Sequence, residues 1–515
     1  MWNRSRNAMG DREGPRLVSS TALWRGDRRP AQVVQVSQLE QDFQRAPQQR
    51  ESGPVAFDTE YVQWLEEYNK HINELRTAVN SHARDPELRI IVDNVIAHYH
   101  EVFRMKGNAA KADAVHVLSG MWKSPAERCC MWIGGCRPSL LIKLLVIHLE
   151  PLTEQQLIGI YNLQQSSHQA EDTLSEGMEA WQQSLQETLA YGSPATERSA
   201  YYIGQMAMAM GKLGTLEGFL RQADNVRQQT LQQMLRILTT RQSARALLAI
   251  SEYFSRLRDL SSVWLARPRE QQVRHASQYS TEIQIYYFDT LARSLPFDTE
   301  YSRWLEEHTK HINELRTAVN SHASEPELRS IVDNAIAHHD EVYRMKANAA
   351  KGNVEHLLSG MWKTPAERCF VWIGDFRPSL LLQLLGNQLE PLGEQQLLAI
   401  KTMQRTCHEA EDALSQGMQT LEQSLGEALA NGYPFTDGTP GDVGNYMAQM
   451  AKAIGNLGTL EGFLLQADNL RRQTLEQLHL ILTTRQSARA LLVISGYFSR
   501  FRVLSSLWLA IQRDQ

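Results

Sequence analysis

The sequence repeats itself almost end to end, and this duplication limits the possible architectures more than any other feature. FDTEYVQWLEEYNKHINELRTAVNSHA at 57–83 returns as FDTEYSRWLEEHTKHINELRTAVNSHA at 297–323, an offset of 240 residues. The offset becomes 244 between GKLGTLEGFL (211–220) and GNLGTLEGFL (455–464), because four residues were gained in the Gly- and Pro-containing loop at 431–445. A period this long that occurs only twice predicts two tandem domains and excludes a solenoid of short repeats.

The repeat divides the chain of 515 residues into predicted segments. Copy 1 is assigned to 57–267 and copy 2 to 297–511, and residues 268–296 form the predicted linker between them. Residues 1–35 mix scattered arginines with glycines and prolines, a composition that predicts a disordered N-terminus.

The apolar pattern of both copies predicts helices only. In 86–111 apolar residues recur every three or four positions after Pro86, a residue that suits the first helical turn. Thr153 and Gln156 form a predicted capping box, whereas copy 2 has Gly393 at the equivalent cap. We therefore predict an all-α protein of two tandem helical bundles with about five to seven helices each.

Bulk composition excludes several classes of protein. A formal net charge of −5 argues against a surface coated by nucleic acid, and five cysteines are too few for a disulfide framework. The longest apolar run, 139–149, is too short to span a bilayer and is interrupted by Lys143, so we expect no membrane contact. The chain contains no phosphate-binding, dinucleotide-binding or nucleophile-elbow motif, and we expect it not to be an enzyme.

Three cysteines crowd into SGMWKSPAERCCMWIGGCRPS at 119–139, which raises the hypothesis of a metal site. Copy 2 reads SGMWKTPAERCFVWIGDFRPS at 359–379, with Phe370 and Phe376 in place of two of the cysteines. A benzyl group cannot bind zinc, but it can replace a cysteine in an apolar slot. The stretch is therefore predicted to pack rather than to bind metal, and a redox-sensitive surface thiol stays as the alternative. Histidine pairs such as His338-His339 lack the spacing that would put both rings on one helical face, so no metal or haem site is predicted there.

The same stretch predicts a short capped helix. Ser124 can cap it, Pro125 suits its first turn, and Glu127 stands where a capping box places its carboxylate. The helix is predicted to end at Gly134-Gly135. The tryptophans and arginines of the stretch in both copies form the candidate surface for a partner or an apolar ligand: Trp122, Arg128, Trp132, Trp362, Arg368 and Trp372.

Longer motifs carry a resemblance to a known family. LSGMWKSPAERC (118–129), QAEDTLSEGMEA (169–180), MAMGKLGTLEGF (208–219) and LTTRQSARALL (238–248) resemble the C-terminal region of plant TGA-type bZIP transcription factors. That region contains the delay-of-germination (DOG) domain, and the resemblance covers both copies. It implies a nuclear protein of the salicylate defence pathway whose family binds TGACG-type DNA elements. It also implies dimerisation, docking of BTB/ankyrin-repeat co-activators, and binding of calmodulin and fatty acid.

The other half of that family is a basic region followed by a leucine zipper. Residues 36–49 resemble the end of the zipper, with Val36, Leu39 and Phe43 at a and d spacing, and Pro47 stops the helix. Residues 1–30 contain glycines and prolines where a continuous basic helix is needed to read the major groove. We therefore expect DNA contact to be indirect or weak.

Three interpretations follow. The first is a transcription regulator that acts through protein–protein contacts with TGA factors, with a second copy of itself, or with co-activators. The second is a helical sensor that binds a lipid or haem, and the third is a truncated gene model of a DNA-binding TGA factor. No cofactor is expected under the first interpretation. A fatty acid is the ligand under the second, and LQQMLRILTTRQSARALLAI at 231–250 is the basic amphipathic segment that suits calmodulin.

Overall fold

A computed structural model describes seven ranges of the chain: 53–146, 148–149, 151–190, 199–265, 282–389, 391–430 and 440–513. Within these ranges all regular elements are helices. The β-type pairing is limited to two isolated bridges, between Trp132 and Gly135 and between Trp372 and Asp375. The all-α prediction is confirmed. The predicted disordered segment 1–35 and the zipper remnant 36–49, with Val36, Leu39 and Phe43, lie outside the described residues.

The helices of copy 1 follow one another in the order that the motifs predicted. They are α1 (Gly53–Asn80), α2 (Asp85–Ser119), α3 (Pro125–Cys129), α4 (Pro138–Val146), α5 (Glu154–Ala190), α6 (Ser199–Gly214), α7 (Leu216–Ile237) and α8 (Thr240–Leu265).

Copy 2 repeats this order. Its helices are α9 (Glu282–Asn320), α10 (Glu325–Ser359), α11 (Pro365–Arg368), α12 (Pro378–Gln388), α13 (Glu394–Ala430), α14 (Pro440–Ile481) and α15 (Thr484–Arg513). α14 corresponds to α6 and α7 together, which are separated only at Thr215. Residues 282–296 of the predicted linker are helical and continue through Pro296 into the rest of α9.

Local capping fixes where several helices begin. The predicted capping boxes form at the starts of α3 and α11, with the Ser124 N–H donating to Glu127 Oε2 at 3.0 Å. At α5 both halves of the Thr153–Gln156 box are present, at 3.1 and 3.2 Å. Gly393 has no side chain, so only its N–H bond to Gln396 Oε1, at 3.0 Å, is made at α13. The caps therefore follow the sequence pattern closely.

The end of α3 differs from the prediction. The helix stops at Cys129 and not at Gly134-Gly135. Ile133 and Gly134 have φ angles of 40° and 69°, in the left-handed region where no α-helix continues. A tight turn closed by the Trp132–Gly135 bridge takes the place of the last predicted helical turn.

Each copy builds clusters of its own, and two further buried clusters are shared between the copies. We call the first shared core the buried cluster in which α3, α4 and α8 of copy 1 pack on α9, α10, α13 and α14 of copy 2. The second shared core is the cluster in which α11, α12 and α15 of copy 2 pack on α2, α5, α6 and α7 of copy 1. The described residues between 53 and 513 form one compact unit as a result.

The exchange between the copies is reciprocal. Leu257 of copy 1 is fully buried in the first shared core, and Phe501, its equivalent at the offset of 244, is fully buried in the second. Leu425 of copy 2 and Leu185 of copy 1, at the offset of 240, take the converse places. Equivalent surfaces that bury each other in this way have the self-complementarity of a twofold dimer, here made within one chain.

Candidate functional site

The first pair of candidate tryptophans lies inside the copies. Trp122 and Trp362 are buried, and each indole N–H donates to a backbone carbonyl, Val117 O at 3.1 Å and Leu357 O at 3.3 Å. Trp122 lines a cavity in copy 1. Its side chain thus lies at the wall of this cavity and not on the outer surface of the protein.

The second pair closes the tight turn after α3 and α11. Trp132 is buried and donates from Nε1 to Ser175 Oγ at 3.0 Å, with the guanidinium groups of Arg137 and Arg227 5.4 and 5.2 Å from its ring. Trp372 is half-buried and repeats the arrangement with Ser415 Oγ at 2.9 Å. Stacked cations and a satisfied indole indicate that both rings hold the turn in place.

One of the candidate arginines, Arg128, lies close to the other copy. Arg128 and Arg368 are half-buried, and their Nη1 atoms contact Met121 Sδ at 2.8 Å and Met361 Sδ at 3.2 Å. Burial lowers the pKa of Arg128, and the carboxylate of Glu355 in copy 2 opposes that shift. Arg128 is therefore part of the contact between copies.

A buried arginine in each copy clamps the turn, and sequence reasoning missed it. Arg227 donates from Nε to Cys136 O at 2.9 Å and from Nη2 to Ile133 O at 3.0 Å, while Nη1 pairs with Asp224 Oδ1 at 2.7 Å. Lys106 Nζ shares that Asp224 oxygen at 2.5 Å. The only sequence signal was that the same residues recur in copy 2, where Arg471, Asp468 and Lys346 repeat the contacts.

Each copy has a cavity, partly open to solvent, next to its clamp. The cavity of copy 1 measures about 160 Å³ and that of copy 2 about 120 Å³. Aromatic and aliphatic side chains line most of the copy 1 cavity, among them Trp64, Tyr68, Phe103, Trp122, Ile142, Leu145 and Phe254. An apolar lining with a few charged groups is what ligand cavities generally have.

Lysines supply the charge in the copy 1 cavity. Burial lowers the pKa of Lys106 to about 8, and the nearby Asp224 carboxylate opposes this shift. Lys123 Nζ donates to Tyr61 OH at 2.5 Å and to Glu127 Oε1 at 3.2 Å. Burial alone would lower the pKa of Lys123, but Glu127 and Tyr61 raise it above its ordinary value. The cavity therefore combines an apolar body with a cationic end.

Histidines enter only the copy 2 cavity. His308 and His339 line it at positions that Tyr68 and Tyr99 occupy in copy 1. Burial lowers the pKa of His308 to about 2 and that of His339 to about 4, and His339 adds to the shift of His308 while His338 adds to that of His339. Both imidazoles are neutral at physiological pH.

Burial disfavours the thiolate form of the cysteines in the 119–139 stretch. Burial raises the pKa of Cys129 and of Cys136 to about 12, and the same holds for Cys369 in copy 2. Cys130 is buried against Tyr253, whose hydroxyl donates to its sulfur at 3.6 Å. Thiols with such pKa values stay protonated at neutral pH, which disfavours the redox-sensitive alternative.

One group in the described ranges could hold a metal ion. Donor atoms of Glu307, His338 and Glu341 lie within 4.8 Å of one another, with His338 buried and both carboxylates exposed. His338 Nε2 already bonds to Trp304 O at 3.0 Å, so only Nδ1 is available as a ligand. The donor set is thus a single imidazole nitrogen and two solvated carboxylates, which is a weak set for zinc.

One described helix is long and apolar enough to cross a membrane by length and composition, the stretch Thr484–Ile511 of α15. Half of its apolar window is buried, and Tyr497, Phe501 and Leu504 lie in the second shared core. The apolar character of α15 is therefore explained by its packing in the second shared core.

Comparison with known proteins places these features in a family. The DOG1 model, described as seed dormancy control, matches residues 71–146 and again 311–387. The TGACG-sequence-specific DNA-binding protein TGA-2.1 of Nicotiana tabacum is 75% identical over 258 residues, which are 47% of this chain and 57% of the relative. The chain thus spans little more than half the length of that relative.

Two shorter relatives are covered more completely. Transcription factor TGA2.3 of Oryza sativa subsp. japonica is 66% identical over 254 residues, 46% of this chain and 77% of the relative. Transcription factor TGA2 of Arabidopsis thaliana is 63% identical over 254 residues, again 46% of this chain and 77% of the relative. With its duplicated helical region and this degree of identity, the chain belongs to the family of TGA transcription factors.

Proposed function

We propose that the chain is a nuclear regulator of transcription that acts through protein–protein contacts and reaches TGACG-type DNA through a TGA partner. The observation that carries the proposal is the pairing of two copies of the family's helical region within one chain. The relatives are named as a transcription factor and as a TGACG-sequence-specific DNA-binding protein, and these names are the basis for proposing a role in transcription and this DNA element. Because the two copies already cover each other's apolar faces, the chain can bind other proteins as a preformed pair with approximate twofold symmetry.

Exposed apolar side chains offer a place for such partners. Leu157, Ile158 and Tyr161 follow the cap of α5 and are 46%, 55% and 61% exposed. Leu398, the copy 2 equivalent of Ile158, is 67% exposed at the start of α13. Clustered exposed apolar residues are typical of protein contact sites. BTB/ankyrin-repeat co-activators, calmodulin and TGA factors are the partners that the family resemblance implies.

A gel-shift experiment tests this proposal. A labelled TGACG duplex is mixed with the chain alone, with a full-length TGA factor alone, and with both. We expect no specific band from the chain alone and a slower band when both are present. The double variant Ile158→Glu with Leu398→Glu should remove the slower band, whereas Ile90→Glu, at a position 63% exposed on α2, should keep it. A specific band from the chain alone would contradict action through a partner.

We also propose that the copy 1 cavity binds an apolar molecule. Its volume of about 160 Å³ and its aromatic lining support this, because an apolar cavity of about 150 Å³ stays dry and takes up a molecule such as benzene. Hexanol, whose size suits this volume, should appear as a bound mass in native mass spectrometry when it is added to the delipidated chain. Leu231→Trp, which fills the cavity from its wall, should reduce this binding, and equal binding by the variant would count against the site.

A further inference from the structure

A glutamine of copy 1 bonds directly to copy 2 beside the second shared core. Gln182 of α5 donates from Nε2 to Cys369 O, at the end of α11, at 2.7 Å. The backbone carbonyl can only accept a hydrogen bond, so this contact depends on the N–H groups of the amide.

The equivalent place beside the first shared core holds a carboxyl instead of an amide. The offset of 240 relates Gln182 to Glu422 of α13 and Cys369 to Cys129. Burial raises the pKa of the Cys129 thiol to about 12, and the charges of Glu355 and Glu422 add to this shift, so Glu422 lies close to Cys129. An ionised carboxylate has no hydrogen and cannot donate to a carbonyl as Gln182 does.

The surroundings of Glu422 disfavour its charged form. Its Oε1 is buried and finds no hydrogen-bond donor among the described residues. Arg137 is shared with another carboxylate, since its Nη1 lies 3.6 Å from Glu171 Oε2. Burial raises the pKa of Glu422 to about 7, Arg137 opposes this shift, and Glu171 adds to it. Glu422 therefore carries a proton about half of the time at pH 7.

Groups from several elements of copy 1 surround this carboxyl. Burial raises the pKa of the thiols and of the tyrosine hydroxyl among them, so these groups stay protonated near pH 7. From copy 2, Glu355 of α10 lies close to the same Cys129, beside Arg128 of copy 1. The groups that face Glu422 from copy 1 are Cys129 of α3, Cys130 and Cys136 of the tight turn, Arg137, Glu171 of α5 and Tyr253 of α8.

We propose that Glu422 is a proton-dependent contact between the copies: its protonated carboxyl donates to Cys129 O, and the ionised carboxylate gives up this bond. Loss of the proton leaves two acceptors facing each other, and a buried charge without a partner is costly. The first shared core should therefore be held more firmly at pH 6 than at pH 8. The second shared core has Gln182 at this place, and an amide does not titrate in this range.

The sign of the effect follows from the raised pKa. A carboxyl whose pKa is raised in the folded chain stabilises the fold below its ordinary pKa of 4.5, and this stabilisation is lost as the pH rises through about 7. Through this group alone, the unfolding equilibrium constant should rise about tenfold from pH 6 to pH 8. His308 and His339 act in the opposite direction towards pH 6, because their pKa values are lowered. The reference protein must therefore keep both histidines.

Urea unfolding of the full chain and of Glu422→Gln at pH 6 and pH 8 tests the proposal. The variant has the residue that copy 1 carries at this place, and its amide donates at either pH. The ratio of the unfolding constant of the unaltered chain to that of the variant should be about tenfold larger at pH 8 than at pH 6. The same ratio at both pH values would overturn the proposal.

Gln182→Glu is the converse variant. It places a carboxyl against Cys369 O, so its unfolding constant relative to that of the unaltered chain should also rise about tenfold from pH 6 to pH 8. A pH-independent ratio for this variant would contradict the role of the proton in the contact. If Gln182→Glu does not fold, Glu422→Gln still decides.

Hydrogen exchange at pH 8 locates the effect. The 119–139 stretch, which contains Cys129, should exchange faster in the unaltered chain than in Glu422→Gln. The rate is taken relative to the 359–379 stretch, which Gln182 contacts in both proteins. Equal relative exchange of 119–139 in the two proteins would overturn a contact at Cys129.

Discussion

Tyr253 of copy 1 and Tyr497 of copy 2 occupy equivalent positions in α8 and α15, and each is buried in a core that the other copy completes. One turn later Leu257 and Phe501 repeat the exchange, and both are fully buried. Arg256 adds a direct bond across the boundary, donating from Nη1 to Leu429 O at 2.7 Å. Because two of the buried clusters need residues of both copies, we expect the described unit to unfold cooperatively.

The shared cores predict that damage to one copy destabilises both. Phe501→Ala should lower the free energy of unfolding by about 3–5 kcal/mol, because it removes a fully buried ring from the second shared core. Calorimetry should show a single transition that moves as a whole to lower temperature. Leu480→Ala, at a side chain 84% exposed, is the matched control and should change stability by less than about 0.5 kcal/mol. Two transitions, of which only one moves, would contradict the shared cores.

The arginine clamp predicts that lysine cannot replace Arg227. Lysine keeps the charge but cannot bond Asp224, Ile133 O and Cys136 O together as the planar guanidinium does. Arg227→Lys should cost about 2–4 kcal/mol in urea unfolding, since buried carbonyls lose their donors. Arg221→Lys, on the exposed surface of the same helix, should be nearly neutral. Equal stability of both variants would show that the clamp is dispensable.

Replacement by alanine is expected to have opposite effects on stability at Gly134, in the tight turn, and at Gly211, in α6. Gly134 has φ of 69°, and a Cβ there would lie 2.5 Å from Leu220 Cδ2, so Gly134→Ala should destabilise by about 1–3 kcal/mol. Gly211 lies within α6 with nothing within 4 Å of an added Cβ. Gly211→Ala should stabilise by about 0.5–1 kcal/mol through helix propensity. Thermal melts of the two variants decide the sign at each site.

Short-range features of this fold could be predicted from the sequence because their signals are local. The capping boxes at Ser124 and Thr364 each depend on residues three positions apart, and both form. The end of α3 could not be predicted in this way. AERCCMWI looks like a continuing helix, but Arg227, nearly a hundred residues away, binds the carbonyl of Ile133 in a turn. A distant partner thus overrides the local preference.

The packing of each copy against the other could not be predicted from the sequence, for a different reason. A buried position has the same apolar pattern whether its partner is in its own copy or in the other, so Leu257 and Phe501 give no sign of which core they join. The sequence shows Asp375 in copy 2 where copy 1 has Gly135, but it does not indicate a role for this difference. Its pairing with Lys346 and Lys363 needed the structure.

The histidines of the copy 2 cavity predict sensitivity to acid. The pKa values of His308 and His339 are lowered to about 2 and about 4, so below pH 6.5 the unfolded chain takes up protons that the folded chain does not. Stability should therefore fall as the pH drops from about 6.5 towards 4, by about 1–2 kcal/mol for each histidine at pH 5. Urea unfolding at pH 7 and pH 5 measures the loss.

Copy 1 supplies the control for this pH effect. The double variant His308→Tyr with His339→Tyr installs the residues found at Tyr68 and Tyr99, which do not titrate in this range. Its loss of stability between pH 7 and pH 5 should be smaller than that of the unaltered chain. The same loss in both proteins would show that these histidines are not the cause.

Pairing of the copies within one chain is the central claim, and a zero-length cross-link tests it most directly. Lys143 Nζ of copy 1 lies 3.2 Å from Glu427 Oε1 of copy 2, and both side chains are about half-exposed and open to a carbodiimide. Equal amounts of ¹⁴N- and ¹⁵N-labelled chain are unfolded and refolded together, cross-linked and digested. Pairing within the chain predicts a Lys143–Glu427 peptide pair that carries one isotope only. As many mixed-isotope pairs as single-isotope pairs, or no such cross-link, would contradict it.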